Sequence, residues 1–537
     1  MTRISTALSL LAGALVTVAA AAQQFPQFPQ LNGIQDISQL DLDKLDLSGI
    51  VIPIPQINFG NPPPEFVGSP AIANPFPAKP VPQSPFMAPN GLSGVHLDAY
   101  QSDTYPFGGP LGRSLEVTST FRAGLCGTVT FDSKGRIIVV CVGRRPIVYL
   151  MDPVTLRVMS RLLMPVASAG DTPDTFGAGG YFFLDQLSRA VIPTRTNDLW
   201  RVKVVESFLG PRLEKDHTCE DDLPAAIPTD QSILSTFPDS HGLLWFTTSG
   251  GNDPKTEPAM VGTVVSSPTV ATSCTVKLAK LPSGEIIRKS FGVDPDPARG
   301  GVFVVSDKHL YRYDAMADGT PGETWSANYD FGTRIKPGQL YQGSGTTPTL
   351  MGTDYVAIGD NADPRMHVVV FKRTAAPVVD RQVCAEEVFP PIFGDSFNSL
   401  IATDTSISVE NNYGYDLQRT LFGLTTVPGI TRVDLDSGGT GCHTVWENKT
   451  LSVPNVVSQA SLANGLEYTY TKQGDLGLTD AWYFTAVDMR TGELVYKQLA
   501  GTGVLFDSHY SSVYLGPDGK TAYVGVLGGL VRIHDRR

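Results

Sequence analysis

The chain has 537 residues, more than one ordinary hydrophobic core needs, so its length favours either several domains or one large array of repeats. Charged residues make up only 18% of the chain, and its 53 glycines and 41 prolines favour a turn-rich all-β protein over a helical one. The formal net charge of -12 repels phosphate backbones and excludes nucleic acid as an expected partner.

Residues 1–22 have the pattern of a secretory signal peptide. Arg3 supplies the positive charge, residues 4–18 form a short apolar stretch, and the alanines at 20–22 form a small-residue cleavage site. A membrane anchor is the alternative, but it needs a longer apolar run followed by basic residues. We therefore expect a secreted, extracellular protein that does not insert into a membrane.

Residues 23–94 form a proline-rich leader with runs such as "QFPQFPQ" and "NPFPAKPVPQSPFMAPN". Proline cannot donate to a sheet ladder and breaks helices. The composition predicts a largely extended or disordered segment, or a strap lying on the domain that follows it. That domain is expected to span residues 95–537.

The cysteines indicate disulfide bonds in an oxidising compartment, since their number is even and no C-x-x-C motif suggests a zinc site. Cys126 and Cys141 flank a predicted hairpin and are expected to bridge neighbouring strands. Asn448 begins an N-x-T sequon, which predicts a glycan if the protein is secreted. Four further cysteines are too widely spaced to pair from the sequence: Cys219, Cys274, Cys384 and Cys442.

From residue 95 onward, short β-branched and aromatic runs alternate with turns, and a strand–turn–strand unit recurs. In each copy a strand ends in an aspartate, whose carboxylate can accept the amides of the turn. In "AVDMRTGELVYKQLAG", Gly492 permits the chain reversal and Tyr496 lies on the next strand, where it can pack against a neighbouring sheet. The aspartates that end the repeats are Asp152, Asp314, Asp434, Asp488 and Asp535.

Radially stacked sheets of this kind form a β-propeller. The fold class predicted is therefore all-β: a single seven- or eight-bladed β-propeller preceded by the signal peptide and the proline-rich leader. A pair of β-sandwiches is the alternative.

One repeat carries a family resemblance. "AVDMRTGELVYK" resembles the A-x-D-x-x-T-G-x-x-x-W repeat of quinoprotein alcohol dehydrogenase-like propellers, with Ala486, Asp488, Thr491 and Gly492 on the motif and Tyr496 in place of its tryptophan. "PDSHGLLWFTTSGGN" is similar to a strand motif of streptogramin lyase-like and gluconolactonase-like propellers. The first resemblance implies pyrroloquinoline quinone (PQQ) over Ca²⁺ near the central channel, held by Glu and Asn, with an Asp as base. The chain has neither a vicinal cysteine pair nor a haem-attachment motif.

Two polar stretches that follow predicted strands are candidate Ca²⁺ ligands, because this ion takes about 6–8 oxygen ligands from carboxylates, amides and carbonyls. Both are also ordinary turn sequences, and a structural role is the alternative. The candidate ligands are Glu410, Asn411, Asn412, Asp360 and Asn361.

Two histidines are candidate catalytic bases because each stands beside an Asp-Ser pair: His241 in "PDSHG" and His509 in "FDSHYSS". His367, at the start of a strand, is a weaker third candidate. A structural role is the alternative for each of the three.

A propeller gathers many loops around one pocket at the mouth of its channel. The leading hypothesis is a secreted, monomeric enzyme that acts there on a small organic substrate, such as a lactone, a polyketide-like or terpenoid metabolite, or a sugar derivative. Hydrolysis, elimination and isomerisation all remain open, with Ca²⁺ assistance. The alternatives are a PQQ-dependent oxidoreductase and a non-catalytic extracellular propeller that binds carbohydrate or protein.

Overall fold

The computed structural model describes residues 62–122, 124–143, 145–165, 179–216, 223, 226–266, 274–421, 423–474 and 480–537. The predicted signal peptide, the first part of the leader and Cys219 lie outside the described residues. No helix within those ranges is long and apolar enough to cross a membrane.

Three strands precede the first blade: β1 Phe66–Gly68, β2 Thr104–Tyr105 and β3 Leu115–Phe121. Blades 1 and 2 contain, from the innermost strand outward, β4 Leu125–Phe131, β5 Ile137–Val142, β6 Ile147–Met151, β7 Val158–Leu163; and β8 Phe183–Leu184, β9 Ala190–Pro193, β10 Leu199–Val205, β11 Arg212–Asp216. Blades 3 and 4 contain β12 Ile233–Pro238, β13 Leu244–Thr248, β14 Met260–Ser266, β15 Cys274–Lys280; and β16 Gly292–Val293, β17 Val302–Val305, β18 His309–Ala315, β19 Pro321–Asn328.

Blades 5 and 6 contain β20 Thr349–Met351, β21 Tyr355–Gly359, β22 Met366–Lys372, β23 Gln382–Val388; and β24 Ile401–Ala402, β25 Ser406–Glu410, β26 Ile430–Leu435, β27 Cys442–Asn448. Blades 7 and 8 contain β28 Gln459–Ser461, β29 Leu466–Lys472, β30 Ala481–Asp488, β31 Leu494–Thr502; and β32 Val513–Leu515, β33 Thr521–Val526, β34 Gly529–Asp535. The chain also contains a short helix, α1 Leu417–Leu421, and a 3-10 turn, Val504–Phe506.

The protein is therefore an eight-bladed β-propeller, which confirms the predicted fold class and settles the blade number at eight. The ring closes because β3, from before blade 1, pairs antiparallel with β34 and becomes the outer strand of blade 8. Blade 7 carries two additional strands, since β1 pairs with its outer strand β31 and β2 pairs in parallel with its inner strand β28. The chain before blade 1 thus binds two neighbouring blades.

The repeated turn has the predicted geometry in the copy that contains Asp488, which matches the repeat motif most fully. Asp488 Oδ1 accepts hydrogen bonds from the amides of Arg490 and Thr491, at 2.7 and 3.1 Å, and Gly492 adopts a φ of 73°. Other copies differ, because Asp314 and Asp434 bind an arginine of their own strand instead.

Tryptophans join successive blades. The indole N–H of Trp446, on β27, donates to the carbonyl oxygen of Met489 in the repeat turn of blade 7 at 3.0 Å. Trp325, on β19, donates in the same way to the carbonyl oxygen of Thr374 in blade 5, also at 3.0 Å. These two rings therefore each hydrogen-bond to the blade that follows their own.

Disulfide bonds join strands both within one blade and between neighbouring blades. Cys126 and Cys141 join neighbouring strands of blade 1, as predicted, whereas Cys384 and Cys442 join the outer strands of blades 5 and 6. Cys274 also takes part in a disulfide.

The segment 94–105, called here the channel strap, runs along the innermost strands. Gly94 forms a β-bridge with Phe183 in blade 2. Beyond it, amides of the inner strands of blades 4 to 7 donate to carbonyl oxygens of the strap, in the pairs Val293–Ala99, Leu350–Tyr100, Ala402–Ser102 and Ala460–Asp103. Leu97, Gln101 and Asp103 have φ values of 73°, 58° and 54°, which non-glycine residues rarely adopt. The strap is held by five blades at once.

Candidate functional site

A cavity of about 660 Å³ opens where the chain enters the innermost strands, and it has the size of a small-molecule site. The segments that enter these strands in blades 2 and 4 to 8 contribute to its lining, blade 3 contributes Leu234 of β12, and the channel strap contributes His96. Lining residues from the entry segments include Tyr181, Arg288, Thr347, Phe397 and Tyr510.

His509, one of the predicted catalytic residues, lines this cavity. Its Nδ1 lies 2.8 Å from the hydroxyl of Tyr415, which also lies 3.4 Å from Asp507 Oδ1. Burial raises the pKa of Tyr415 well above its ordinary value, so its hydroxyl keeps its proton and acts as a donor. Donation to His509, across the shorter contact, places the ring proton on Nε2, where it is a donor available to a ligand, whereas donation to Asp507 places it on Nδ1.

The backbone around His509 is strained and well supported. His509 and Tyr510 have φ values of 39° and 67°. The carboxylate of Asp507 accepts the amide of His509 at 2.8 Å and the side-chain amide of Asn455 at 2.9 Å, and Ser508 donates to Asn455. A strained backbone of this kind persists only where many surrounding contacts fix it. Such strained residues occur most often at functional sites.

Burial shifts the pKa values of both His509 and Asp507. It lowers the pKa of His509 to about 4, so the imidazole is neutral at physiological pH, and it raises the pKa of Asp507 to about 6. Asp507 Oδ2 is buried without a hydrogen-bond partner in the described part of the chain. A neutral imidazole here can donate to a ligand oxygen but is a weak base.

A second histidine lines the same cavity. Nδ1 of His96 lies 3.1 Å from both carboxylate oxygens of Asp103, and Gln459 donates to the same carboxylate at 2.7 Å. The carboxylate holds the ring proton on Nδ1 and leaves Nε2, which lies 3.4 Å from the hydroxyl of Thr347, as an acceptor. A carboxylate behind an imidazole stabilises the imidazolium that forms when the ring accepts a proton. His96 therefore presents Nε2 as the nitrogen that can accept a proton from a ligand.

Aromatic rings form one wall of the cavity. The ring of Phe397 lies 4.9 Å from that of Tyr341 and 5.7 Å from that of Tyr510, and the rings of Tyr510 and Tyr415 meet edge to face at 5.3 Å. Such a wall suits the face of a planar or ring-shaped ligand.

Three of the predicted Ca²⁺ ligands accept hydrogen bonds from the loops beside this wall. Glu410 accepts hydrogen bonds from Asn398 at 2.7 Å and Ser458 at 2.5 Å, and burial raises its pKa to about 8. The side-chain oxygens of Asn411 and Asn412 accept main-chain amides of Asp395 and Phe397, respectively.

The remaining two candidates and two of the histidines lie apart from the cavity lining. Asp360 binds the imidazole of His367 at 2.7 Å, and Asn361 accepts a hydrogen bond from Gln339 at 3.0 Å. His241 lies in an exposed hairpin turn of blade 3, 3.1 Å from the hydroxyl of Ser240. The structure brings only His509 of the predicted catalytic pair into the cavity.

The donor set does not fit a calcium ion, because the side-chain oxygens of all five candidate residues accept hydrogen bonds from N–H or O–H groups of the protein and Glu410 favours its neutral form. The described residues include no cluster of three metal-binding His, Cys, Asp or Glu side chains. Nor do the described residues of the cavity lining include a cysteine or tryptophan to stack on a quinone. We derive no step through calcium or PQQ, and both stay predictions.

No protein-family model matches the chain, and no curated protein matches it significantly. Among solved structures, it is similar to BamB from Moraxella catarrhalis, with 12% identity over 75% of this chain and 95% of that one and a TM-score of 0.43. It is also similar to Sqt1 from Chaetomium thermophilum, bound to the N-terminus of a ribosomal protein, with 12% identity over 74% and 93% and a TM-score of 0.44.

A quinohemoprotein alcohol dehydrogenase from Comamonas testosteroni matches with 8% identity over 83% of this chain and 80% of that one, at a TM-score of 0.35. The chain's own eight blades, seven of four strands and one of six, show the propeller fold that its resemblance to quinoprotein-like propellers implied.

Proposed function

We propose that this propeller is a metal-independent acid–base enzyme that acts on a small organic molecule in the cavity. The observation that carries the proposal is that two histidines with different hydrogen-bond partners, His96 and His509, line one cavity. His96, backed by Asp103, accepts a proton from the substrate. His509 remains neutral and donates from Nε2 to the substrate oxygen on which negative charge develops, as a neutral imidazole can.

This pairing fits proton abstraction next to a carbonyl group. The C–H electron pair moves into the carbonyl system while His96 Nε2 takes the proton, and the resulting enolate is stabilised by His509. Where a double bond is conjugated with the enolate, return of the proton from His96 to its far carbon gives an isomerisation. Where the adjacent carbon carries a leaving group, that group departs with its bonding electron pair and an elimination results. Lactones and oxo acids are substrates of the required chemistry.

The test is a panel of lactones, sugar lactones and aromatic oxo acids incubated with the purified full chain and followed by liquid chromatography and mass spectrometry. We expect at least one member to isomerise or to lose a small molecule, and His96→Gln to abolish that conversion. Conversion that is equally fast with wild type and His96→Gln would contradict the proposed role of His96.

Binding without turnover is a second candidate, favoured by the aromatic wall of Tyr341, Phe397 and Tyr510, since such rings stack on sugar faces. Retention of panel members with no conversion of any of them would favour this candidate.

We also propose that the protein is secreted. The signal-like first residues and the disulfide bonds support this proposal, because disulfides persist in oxidising compartments. Mass spectrometry of protein from the medium should find a mature N-terminus at Gln23.

A further inference from the structure

The lining of the cavity is unequally charged. Among the described residues, its lining contains two basic side chains, Arg288 and Lys289, and one carboxylate, Asp416. Asp416 is exposed, and its Oδ1 accepts the amide of Arg419 at 2.8 Å at the start of α1. Lys289 is buried, and its ammonium donates to the carbonyl oxygen of Phe397 at 2.6 Å and lies 3.8 Å from the centre of that ring.

Arg288 differs from several other partly buried arginines of the blades. It is half-buried and lines the cavity, yet it makes no hydrogen bond or ion pair with any described residue. By contrast, Arg299, Arg312, Arg373 and Arg432 each pair with an aspartate within 2.8 Å. A guanidinium withdrawn from part of its water without a partner is incompletely satisfied, and its planar fork matches a carboxylate in two parallel hydrogen bonds.

We propose that the molecule bound in this cavity is a carboxylic acid that carries a planar ring, with its carboxylate on Arg288 and its ring on the wall formed by Tyr341, Phe397 and Tyr510. The inference rests on the proposed function for the location of the site. It does not depend on the catalytic roles of His96 and His509. Anion recognition by Arg288 would orient the ring-bearing acid before any proton moves.

The experiment uses two probes of equal shape, naphthoate and its neutral amide, titrated into the full chain by isothermal calorimetry. We expect naphthoate to bind at least about ten-fold more tightly than the amide, because only the anion forms the paired contact. Arg288→Gln should remove this preference, and Arg288→Lys should retain part of it. Arg161→Gln, on the exposed face of β7, is the matched control and should leave both affinities unchanged.

Equal affinities for the two probes in the wild type, an unchanged preference in Arg288→Gln, or no binding of either probe would overturn the inference. A thermal melt of each variant verifies that it is folded. His96→Gln separates this inference from the proposed function, because it should change naphthoate affinity less than about two-fold while abolishing conversion of the panel. A carboxylate preference without any conversion would sink the proposed enzyme and leave this inference standing.

Discussion

The hydroxyl of Tyr415, on the loop between β25 and β26, lies 2.8 Å from Nδ1 of His509, on the segment that enters β32. This contact joins blade 6 to blade 8 across the cavity. It also determines which nitrogen of His509 carries the proton, and therefore whether the ring donates to a ligand or accepts from it.

Nuclear magnetic resonance of the ¹⁵N-labelled His509 ring tests this assignment. We expect the proton on Nε2 in the wild type and no second proton until the pH falls to about 4, because burial disfavours the imidazolium. Tyr415→Phe should mix the two tautomers and slow turnover about ten- to hundred-fold. A His509 that takes up its second proton near pH 6.5 would contradict the account.

Gly492 should resist substitution more than other turn glycines. Its φ of 73° disfavours a side chain, and a Cβ there would clash with the ring of Trp446. Gly438→Ala is the matched control, since Gly438 has a φ of 86° but no atom near the new methyl group. We expect Gly438→Ala to lower the free energy of unfolding by about 1 kcal/mol and Gly492→Ala by about 2–4 kcal/mol. Equal losses in denaturant titrations would show that the docked tryptophan contributes nothing.

Stability should rise as the pH falls from 8.5 to 6.5. Burial raises the pKa of several carboxyls, and these groups take up protons in this window only in the folded state, which therefore gains stability. Below about pH 6.5 the unfolded chain protonates His509 more readily than the folded chain, and this opposes the gain. The carboxyls are Asp98, Asp395 and Glu467, each with a pKa raised to about 7, and Glu410, raised to about 8.

Glu410→Gln mimics the neutral form and isolates one of these groups. It should raise the melting temperature at both pH values, and by about 1–2 °C more at pH 8.5 than at pH 6.5, because the unfolded chain ionises this glutamate at both. Glu447→Gln, on the exposed face of β27, is the control. A wild-type melting temperature that is lower at pH 6.5 than at pH 8.5 would refute the raised pKa values of these carboxyls.

The disulfides Cys384–Cys442 and Cys126–Cys141 should differ in their effects on stability. Cys384–Cys442 joins two blades across 58 residues, whereas Cys126–Cys141 lies within blade 1 and spans 15. Chain entropy predicts that the longer loop stabilises more, by about 1 kcal/mol. The double variants Cys384→Ala/Cys442→Ala and Cys126→Ala/Cys141→Ala, compared by urea titration, measure this difference. A larger loss for the pair within blade 1 would contradict the chain-entropy argument.

The blade architecture was predictable because residues close together in the sequence determine the turn of each repeat. The motif of Asp488, Thr491 and Gly492 specifies a reversal from neighbouring residues alone. The number of blades was not predictable, since inner strands such as Phe183–Leu184 and Ile401–Ala402 have only two residues and no countable pattern.

The candidate site was predictable only in part. His509 stood out beside its Asp-Ser pair, whereas His96 did not, because its role depends on a strap held by five blades distant in sequence. The only local signal was the pair His96 and Asp103 in "HLDAYQSD". Glu410 and Asn411 followed a strand as metal ligands do, but the same pattern also supports a loop.

Solvent exchange is the most direct test of the claim that this cavity moves protons. The converted member of the substrate panel is incubated in D₂O with wild type, His96→Gln and Arg288→Gln, and deuterium at the carbon next to its carbonyl is followed by NMR. The account predicts incorporation by the wild type, none by His96→Gln, and weakened substrate binding in Arg288→Gln. Incorporation by His96→Gln at the wild-type rate would contradict it.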